Sequence, residues 1–137
     1  LSPVTPANDV VDANPQTLFE YVVEQLAPLG LAFIHIIEGA TGGPRELDDR
    51  PFDYEALKAA YRRAGGKGAW MVNNGYDLTL AETAVAEGDD LVAFGRPFIA
   101  NPDLVRRLRE KAPLNTLDKA TLYGGGAKGY TDYPALA

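Results

Sequence analysis

The stretch AWMVNNGYDLTLAETAVAEGDDLVAF, residues 69–94, decides the fold class of this chain. It begins with a short apolar run, Ala69–Asn73, continues from Asp77 with apolar residues at helical spacing that stop at Gly88, and ends with a second apolar run, Leu91–Phe94. Short apolar runs bounded by turn residues are typical of parallel strands buried on both faces. The stretch therefore predicts a right-handed βαβ unit with parallel strands.

The same alternation precedes this unit. Asn14 followed by Pro15 is a capping residue with proline at the first helical position, so a helix is expected there. A buried strand is predicted over Ala32–Ile37 and a helix over Phe52–Ala64. The connection between them, Gly39–Pro51, is long for a βα loop, and loops of this kind often carry function.

A last helix is predicted to begin at Asn101-Pro102, with Leu104, Val105 and Leu108 as its buried stripe. With it, three predicted strands are each followed by a helix, which indicates an α/β fold. A closed (β/α)8 barrel takes roughly 250 residues, whereas this chain has 137. We therefore expect part of a barrel; an open doubly wound sheet has the same periodicity and remains the alternative.

The composition limits the classes of partner. The formal net charge is -6, with 13 basic and 19 acidic residues, which argues against binding to nucleic acid or an anionic membrane. The chain has no cysteine, which excludes disulfides, thiolate catalysis and cysteine-ligated zinc. No apolar run reaches the roughly 18 residues that span a bilayer, and the first residues do not resemble a signal peptide. We expect a cytoplasmic protein.

Two predicted strand ends carry the residues best suited to binding a ligand. Gly75 follows the strand that ends at Asn73, and Gly95-Arg96 follows the next strand. Glycine lets a backbone N–H approach a ligand closely, and a guanidinium can bind phosphate oxygens with two hydrogen bonds. In barrels a phosphate site frequently lies in the last two strand-to-helix loops. The alternative interpretation is that the glycines only permit tight turns and that Arg96 forms a surface ion pair.

Other titratable residues give weaker signals. His35 is the only histidine, and its place inside an apolar run favours a hydrogen-bonded barrel residue over a catalytic one. Glu38 ends the same predicted strand, where it could serve catalysis or anchor the loop. Asp48, Asp49 and Asp53 lack the spacing of metal ligands, so no metal site is predicted.

Three segments together resemble the Old Yellow Enzyme family, close to its bacterial ene-reductase and nitroester-reductase members. They are LSP at 1–3, FGRPFIANPDLVRRL at 94–108 and YGGGAKGYTDYP at 123–134. The resemblance covers essentially the whole chain, and the two longer segments are highly specific. It implies a (β/α)8 barrel with non-covalent FMN. It also implies hydride transfer from NAD(P)H through the flavin to an activated alkene such as an enone.

The resemblance also implies which residues meet the flavin. The three predicted strands would be the sixth, seventh and eighth of the barrel. Asn74 and Gly75 would then form the turn that meets the FMN phosphate, and Gly95 with Arg96 would complete the phosphate site. Leu122 stands where the family often has an aromatic residue near the dimethylbenzene edge of the flavin. Leucine can still pack there, although it loses the stacking contact.

Tyr123 corresponds by the same resemblance to a tyrosine that lines the substrate pocket. The family binds the substrate oxygen through a His-His or His-Asn pair and supplies a proton from a tyrosine, all on strands that would precede Leu1. His35 does not match that pair, so no catalytic residue is expected in this chain.

We therefore expect residues 1–137 to be the C-terminal part of a single FMN-binding barrel domain, about strands 6–8 with their helices and the tail. Activity would require a complementary N-terminal chain or fragment of the same barrel. The alternative is a non-catalytic half-barrel that binds a phosphate ligand. An unrelated phosphate-sugar barrel enzyme would explain the glycines at the strand ends but not the tail.

Overall fold

The computed structural model describes residues 1–7 and 11–137, which fall into two units, Leu1–Ala93 and Phe94–Ala137. The first unit contains α1 (Pro15–Leu26), a 3₁₀ turn (Ala27–Leu29), β1 (Phe33–Ile37), α2 (Tyr54–Arg63), β2 (Ala69–Asn73), α3 (Leu78–Ala86) and β3 (Leu91–Ala93). The second unit contains α4 (Arg96–Ala100), α5 (Leu104–Glu110) and a 3₁₀ turn (Lys119–Thr121).

The sheet in the first unit is parallel throughout, as predicted. Its three strands lie in the order β1-β2-β3, with Ile34 opposite Trp70 and Val72 opposite Val92. Parallel strands joined through helices place all their carboxyl ends at one edge of the sheet. The residues that follow the strands are therefore brought to that edge.

Side-chain caps explain where the helices of the first unit begin. Asn14, Asp53 and Asp77 each accept a hydrogen bond from the backbone N–H three residues later, at 3.4, 2.8 and 2.8 Å. Each cap satisfies a backbone donor that has no partner inside its own helix. The predicted helix starts at Asn14 and Asp77 are confirmed. The helix predicted from Phe52 begins at Tyr54 because Asp53 is its cap.

The core of the first unit lies on one face of the sheet. Ile36, Trp70 and Val72 are buried there, and the Tyr61 ring of α2 packs against Trp70 with ring centroids 5.8 Å apart. The prediction that the strands are buried on both faces is wrong for the described residues. Phe33, on the other face, is 48% exposed, because the helices of this unit cover only one side of β1 and β2.

The second unit departs from prediction at its first helix. No element is predicted over Arg96–Ala100, which forms α4, and the next helix, predicted to begin at Asn101-Pro102, begins at Leu104. The reason is that Asn101 does not cap α5. Its amide nitrogen donates to the Pro97 carbonyl at 2.8 Å, and its amide oxygen accepts from the Asn115 N–H at 2.7 Å. Asn101 therefore closes α4 and holds the chain that follows α5.

The buried stripe of α5 is also different from the predicted one. Leu104 is buried and Leu108 is half-buried, as expected, but Val105 is 56% exposed. Arg107 is buried in its place. The prediction for Val105 failed because apolar character alone does not reveal that a guanidinium can be buried when its donors are satisfied.

Arg107 has an acceptor for each part of its guanidinium. Its Nε donates to the Asp103 carboxylate at 2.7 Å, Nη1 to the Pro113 carbonyl at 2.6 Å, and Nη2 to the Pro134 carbonyl at 2.9 Å. These bonds join α5, the segment after it and the C-terminal tail. Arg107 is therefore the residue that fixes the tail within the second unit.

No helix within the described ranges is both long and apolar enough to cross a membrane.

We expect Gly68→Ala to destabilise the first unit. A Cβ at residue 68 would fall on the Leu31 carbonyl oxygen and lie 2.9 Å from the Tyr61 hydroxyl, which accepts the Gly68 N–H. Overpacking of this kind costs about 1–3 kcal/mol. The control is Gly124→Ala, whose Cβ would have no atom within 4 Å. Urea unfolding followed by the fluorescence of Trp70, the single tryptophan, measures both; equal midpoints would contradict the packing described.

Candidate functional site

The carboxyl edge of the sheet in the first unit brings together the residues that follow β1 and β2. Glu38 follows β1 directly, and Asn74, Gly75 and Tyr76 follow β2. Glu38, Asn74 and Tyr76 are buried, whereas Gly75 is exposed. One exposed backbone turn thus lies among buried polar side chains.

Asn74 binds the start of the long loop after β1. Its amide nitrogen donates to the carbonyls of Glu38 and Ala40 at 2.6 and 2.9 Å, and its amide oxygen accepts the Gly42 N–H at 3.1 Å. The residue has a φ of 120°, in the region that favours glycine. The Asn74 side chain is therefore committed to the loop, which leaves the backbone of the turn that was predicted to meet a phosphate for a ligand.

Glu38 lies beneath the same loop with two partners. Tyr76 Oη donates to Glu38 Oε2 at 2.7 Å. Arg45 Nε lies 3.2 Å from that oxygen, close enough for an ion pair but not aligned for a hydrogen bond. The Arg45 guanidinium also lies 4.7 Å from the centre of the Tyr76 ring. Of the two roles considered for Glu38, the geometry shows the loop anchor.

Burial changes the proton affinity of both partners. It raises the pKa of the Glu38 carboxyl, while the Tyr76 hydrogen bond and the Arg45 charge act in the opposite direction. Burial and the Glu38 carboxylate together raise the pKa of the Tyr76 hydroxyl. Tyr76 therefore keeps its proton and remains a donor to Glu38.

Gly75 is the exposed residue between these two anchors. Its φ is 68°, and a Cβ there would meet no atom within 4 Å. Among the described residues, no backbone carbonyl accepts the Gly75 N–H. The turn can therefore present a donor to an external acceptor, which is what a phosphate oxygen requires.

In the second unit, Gly95 and Arg96 form the start of α4. The Gly95 carbonyl accepts the Phe98 N–H at 2.9 Å, and Arg96 is the first helical residue and exposed. None of the ion pairs between described residues includes Arg96. The alternative that Arg96 forms a surface ion pair is therefore not seen in this part of the chain.

Leu122 and Tyr123 lie at the start of the glycine-rich tail. Leu122 is half-buried, and the Tyr123 side chain is 74% exposed with its backbone at a φ of 60°. The Tyr123 N–H donates to the Tyr130 hydroxyl at 2.7 Å. The hydroxyl of Tyr123 is thus displayed on a turn that Tyr130 holds.

His35 differs from its prediction. We expected a hydrogen-bonded residue, but Nε2 is buried without a hydrogen-bond partner among the described residues. Burial lowers the pKa of His35, which keeps the ring neutral near pH 7. His35 lies on the same face of β1 as Phe33, the face that is less buried.

Arg45 and Tyr76, which complete the Glu38 cluster, are not among the predicted site residues. Arg45 lies in a loop of mixed charges, where no spacing distinguishes it from its neighbours. Tyr76 was detectable in principle, because it directly follows Gly75 at a strand end. Within residues 1–7 and 11–137, no group of three or more His, Asp or Glu side chains could hold a metal ion.

The sequence profile of the NADH:flavin oxidoreductase / NADH oxidase family matches residues 1–115. The chain belongs to this family. The Old Yellow Enzyme resemblance read from the motifs is confirmed, since two solved structures similar to the chain are old yellow enzymes from Trypanosoma cruzi and Zymomonas mobilis.

Individual family members match nearly all of the chain. A putative 12-oxophytodienoate reductase of Oryza sativa subsp. japonica is 41% identical over 99% of this chain and 44% of its own length. The Zymomonas mobilis homologue is 37% identical with a TM-score of 0.87, over 99% of this chain and 37% of that one. Morphinone reductase is 36% identical with a TM-score of 0.82, over 99% and 35%.

The chain thus spans less than half the length of these Old Yellow Enzyme relatives. It is an α/β fragment of the family's TIM barrel, with parallel strands. The open doubly wound sheet considered from the periodicity is excluded by this match. The family binds FMN and uses NAD(P)H.

Proposed function

We propose that this chain supplies the FMN phosphate site and part of the substrate pocket of a cytoplasmic ene-reductase of the Old Yellow Enzyme type. Bound FMN would take hydride from NAD(P)H and deliver it to an activated alkene such as an enone. The observation that carries the proposal is the exposed Gly75 turn, held on both sides at the carboxyl edge of the sheet. Such a turn fits a phosphate, because its N–H has no backbone acceptor among the described residues and the glycine has no Cβ to block the approach.

The residues of this chain would each have a distinct part. The backbone of Asn74 and Gly75, together with Gly95 and the Arg96 guanidinium, would bind the phosphate. Leu122 would pack near the edge of the flavin ring. Tyr123 would face the alkene, and no residue of this chain would transfer a proton to it.

The ladder at Leu1 supports a place for the strands near the end of the barrel. Leu1 N donates to the His35 carbonyl at 2.6 Å, and the Leu1 carbonyl accepts the Ile37 N–H at 2.8 Å. Leu1 thus forms hydrogen bonds with the residues on both sides of Ile36, which is the pattern of two paired parallel strands. We propose that a further strand pairs with β1 there; by the resemblance in the motifs, β1, β2 and β3 would be the sixth, seventh and eighth strands.

The uncovered face of the sheet supports a partner of the same barrel. Phe33 and Leu91 are 48% and 41% exposed. Large apolar side chains on a parallel sheet are normally buried, and the strand edges carry backbone groups that need partners. The complementary N-terminal part of the barrel would cover both.

We expect Arg96→Ala to weaken FMN binding. A charge-assisted hydrogen bond contributes about 1.5–3 kcal/mol, which corresponds to a rise in Kd of roughly tenfold or more. Flavin fluorescence titration of this chain paired with the complementary N-terminal part of the barrel measures it. Arg109→Ala, which removes an exposed arginine of the same unit, is the control and should leave Kd unchanged. An unchanged Kd for Arg96→Ala would count decisively against the phosphate site.

We expect Tyr123→Phe to change KM or kcat for an enone and to leave FMN bound. The exposed hydroxyl is removed, while the backbone bond to Tyr130 that holds the turn is kept. Steady-state kinetics per bound flavin measure the effect, with Tyr21→Phe on an exposed position of α1 as the control. Loss of flavin with unchanged kinetics per bound flavin would show that Tyr123 faces the cofactor.

We expect the chain alone to be inactive and to gain FMN binding and enone reduction when paired with an N-terminal partner. A suitable partner is the N-terminal part of the Zymomonas mobilis homologue, ending before the residue aligned with Leu1. The break falls directly before Leu1, and the hydrogen bonds that Leu1 forms with His35 and Ile37 of β1 stay within this chain. The measurements are FMN content and NAD(P)H-dependent enone reduction.

Two outcomes of this reconstitution would reject the proposal. Robust enone reduction by the chain alone, as a stable monomer, would contradict its role as one part of a barrel. FMN binding by the pair without any enone reduction would favour the non-catalytic binding module. The N-terminal partner on its own is the control for background activity.

A further inference from the structure

Two side chains hold the loop after β1 against the turn after β2. Asn74 binds loop carbonyls and the Gly42 N–H, while Tyr76 binds Glu38 at the base of the loop. We propose that Asn74 and Tyr76 are positioning residues that join the loop 39–45 and the Gly75 turn into one unit, so that the order of the loop sets the turn's affinity for a phosphate group. The inference rests on the proposed function in taking FMN as the ligand.

The backbone of Asn74 shows that the side chain is needed there. A non-glycine residue at a φ of 120° is strained and persists only when its surroundings hold it. The Asn74 amide uses both of its polar ends on the loop, at 2.6 to 3.1 Å. An amide is required for this, because one end must donate to carbonyls and the other must accept an N–H.

The second connection between the loop and the Gly75 turn runs through the buried carboxylate of Glu38. Glu38 Oε2 accepts the Tyr76 hydroxyl at 2.7 Å and forms an ion pair with Arg45 Nε at 3.2 Å, so the loop and the turn both contact one carboxylate oxygen. The Arg45 guanidinium, 4.7 Å from the Tyr76 ring centre, adds a contact from the loop to the same side chain. The loop is also held by a residue outside the turn, because the Gly39 N–H donates to Tyr54 Oη at 2.6 Å.

Gly75 lies between Asn74 and Tyr76, the two residues that connect the turn to the loop. Because its neighbours on both sides are bound to the loop, the direction of its N–H follows the position of the loop. A donor that is already oriented loses less conformational entropy when a ligand binds. By thermodynamic linkage, a phosphate group bound at the turn must in return make the loop more ordered.

Hydrogen exchange of the 137-residue chain tests the joined unit without any flavin. Asn74→Gly keeps a backbone suited to this φ and removes the side chain, and Tyr76→Phe removes only the hydroxyl. We expect the amides of residues 40–43 to exchange about tenfold faster in Asn74→Gly, as expected when hydrogen bonds that resist local opening are lost. Tyr21→Phe, the same change on an exposed position of α1, is the control.

Exchange results can overturn the proposal directly. Loop amides that exchange in the unaltered chain as fast as in an unstructured peptide would show that no joined unit exists. Unchanged exchange in both variants would show that Asn74 and Tyr76 do not hold the loop.

FMN titration of the reconstituted pair tests the link to the ligand. We expect FMN to slow exchange at residues 40–43, and Asn74→Gly to raise the Kd for FMN about fivefold to tenfold. A faster-exchanging loop with an unchanged Kd would overturn the link. Absence of FMN binding in the unaltered pair would reject both the proposed function and the link between loop order and FMN affinity. The exchange data would then decide only whether the loop and the Gly75 turn form one unit.

Discussion

The parallel ladder between β1, β2 and β3 is the constraint on which the rest of the first unit depends. It fixes the register of Ile36 opposite Val72 and of Val72 opposite Val92, and so it decides which side chains form the core. The same register places Glu38 one residue beyond β1 and Asn74 one residue beyond β2, at one edge of the sheet. Hydrophobic packing on one face and polar contacts at the edge thus have a common origin.

Much of the first unit could be predicted from the sequence because its signals are local. The Asn14 cap with Pro15, the Asp77 cap and the apolar run of β2 all act over a few residues, and each lies where the pattern indicated. The second unit was harder to predict, since α4 is only five residues long and shows no full helical period. Nothing in the local sequence indicates that Arg107 is buried, because two of its acceptors, the carbonyls of Pro113 and Pro134, lie outside its helix.

The candidate site also contains some residues that could be predicted from the sequence and others that could not. Gly75 could be recognised at a strand end because glycine at such a place has a stereochemical meaning. The cluster around Glu38 could not be recognised, because Tyr76 lies 38 residues from its partner. Bonds over that distance depend on the completed fold, which a local pattern does not contain. His35 was misjudged for a related reason, since the burial of its Nε2 without a partner depends on the folded sheet and not on the neighbouring residues in the sequence.

The hydrogen bonds of Arg107 have a consequence for which amino-acid substitutions the second unit can accept. Two of its three acceptors are the backbone carbonyls of Pro113 and Pro134, which every amino acid at those positions would also provide. Side chains can therefore be exchanged at both anchor points without removing an acceptor, whereas no other side chain offers the same planar set of donors at residue 107. The attachment of the tail therefore constrains its two sides unequally: residue 107 must be arginine, whereas the residues at 113 and 134 can be substituted.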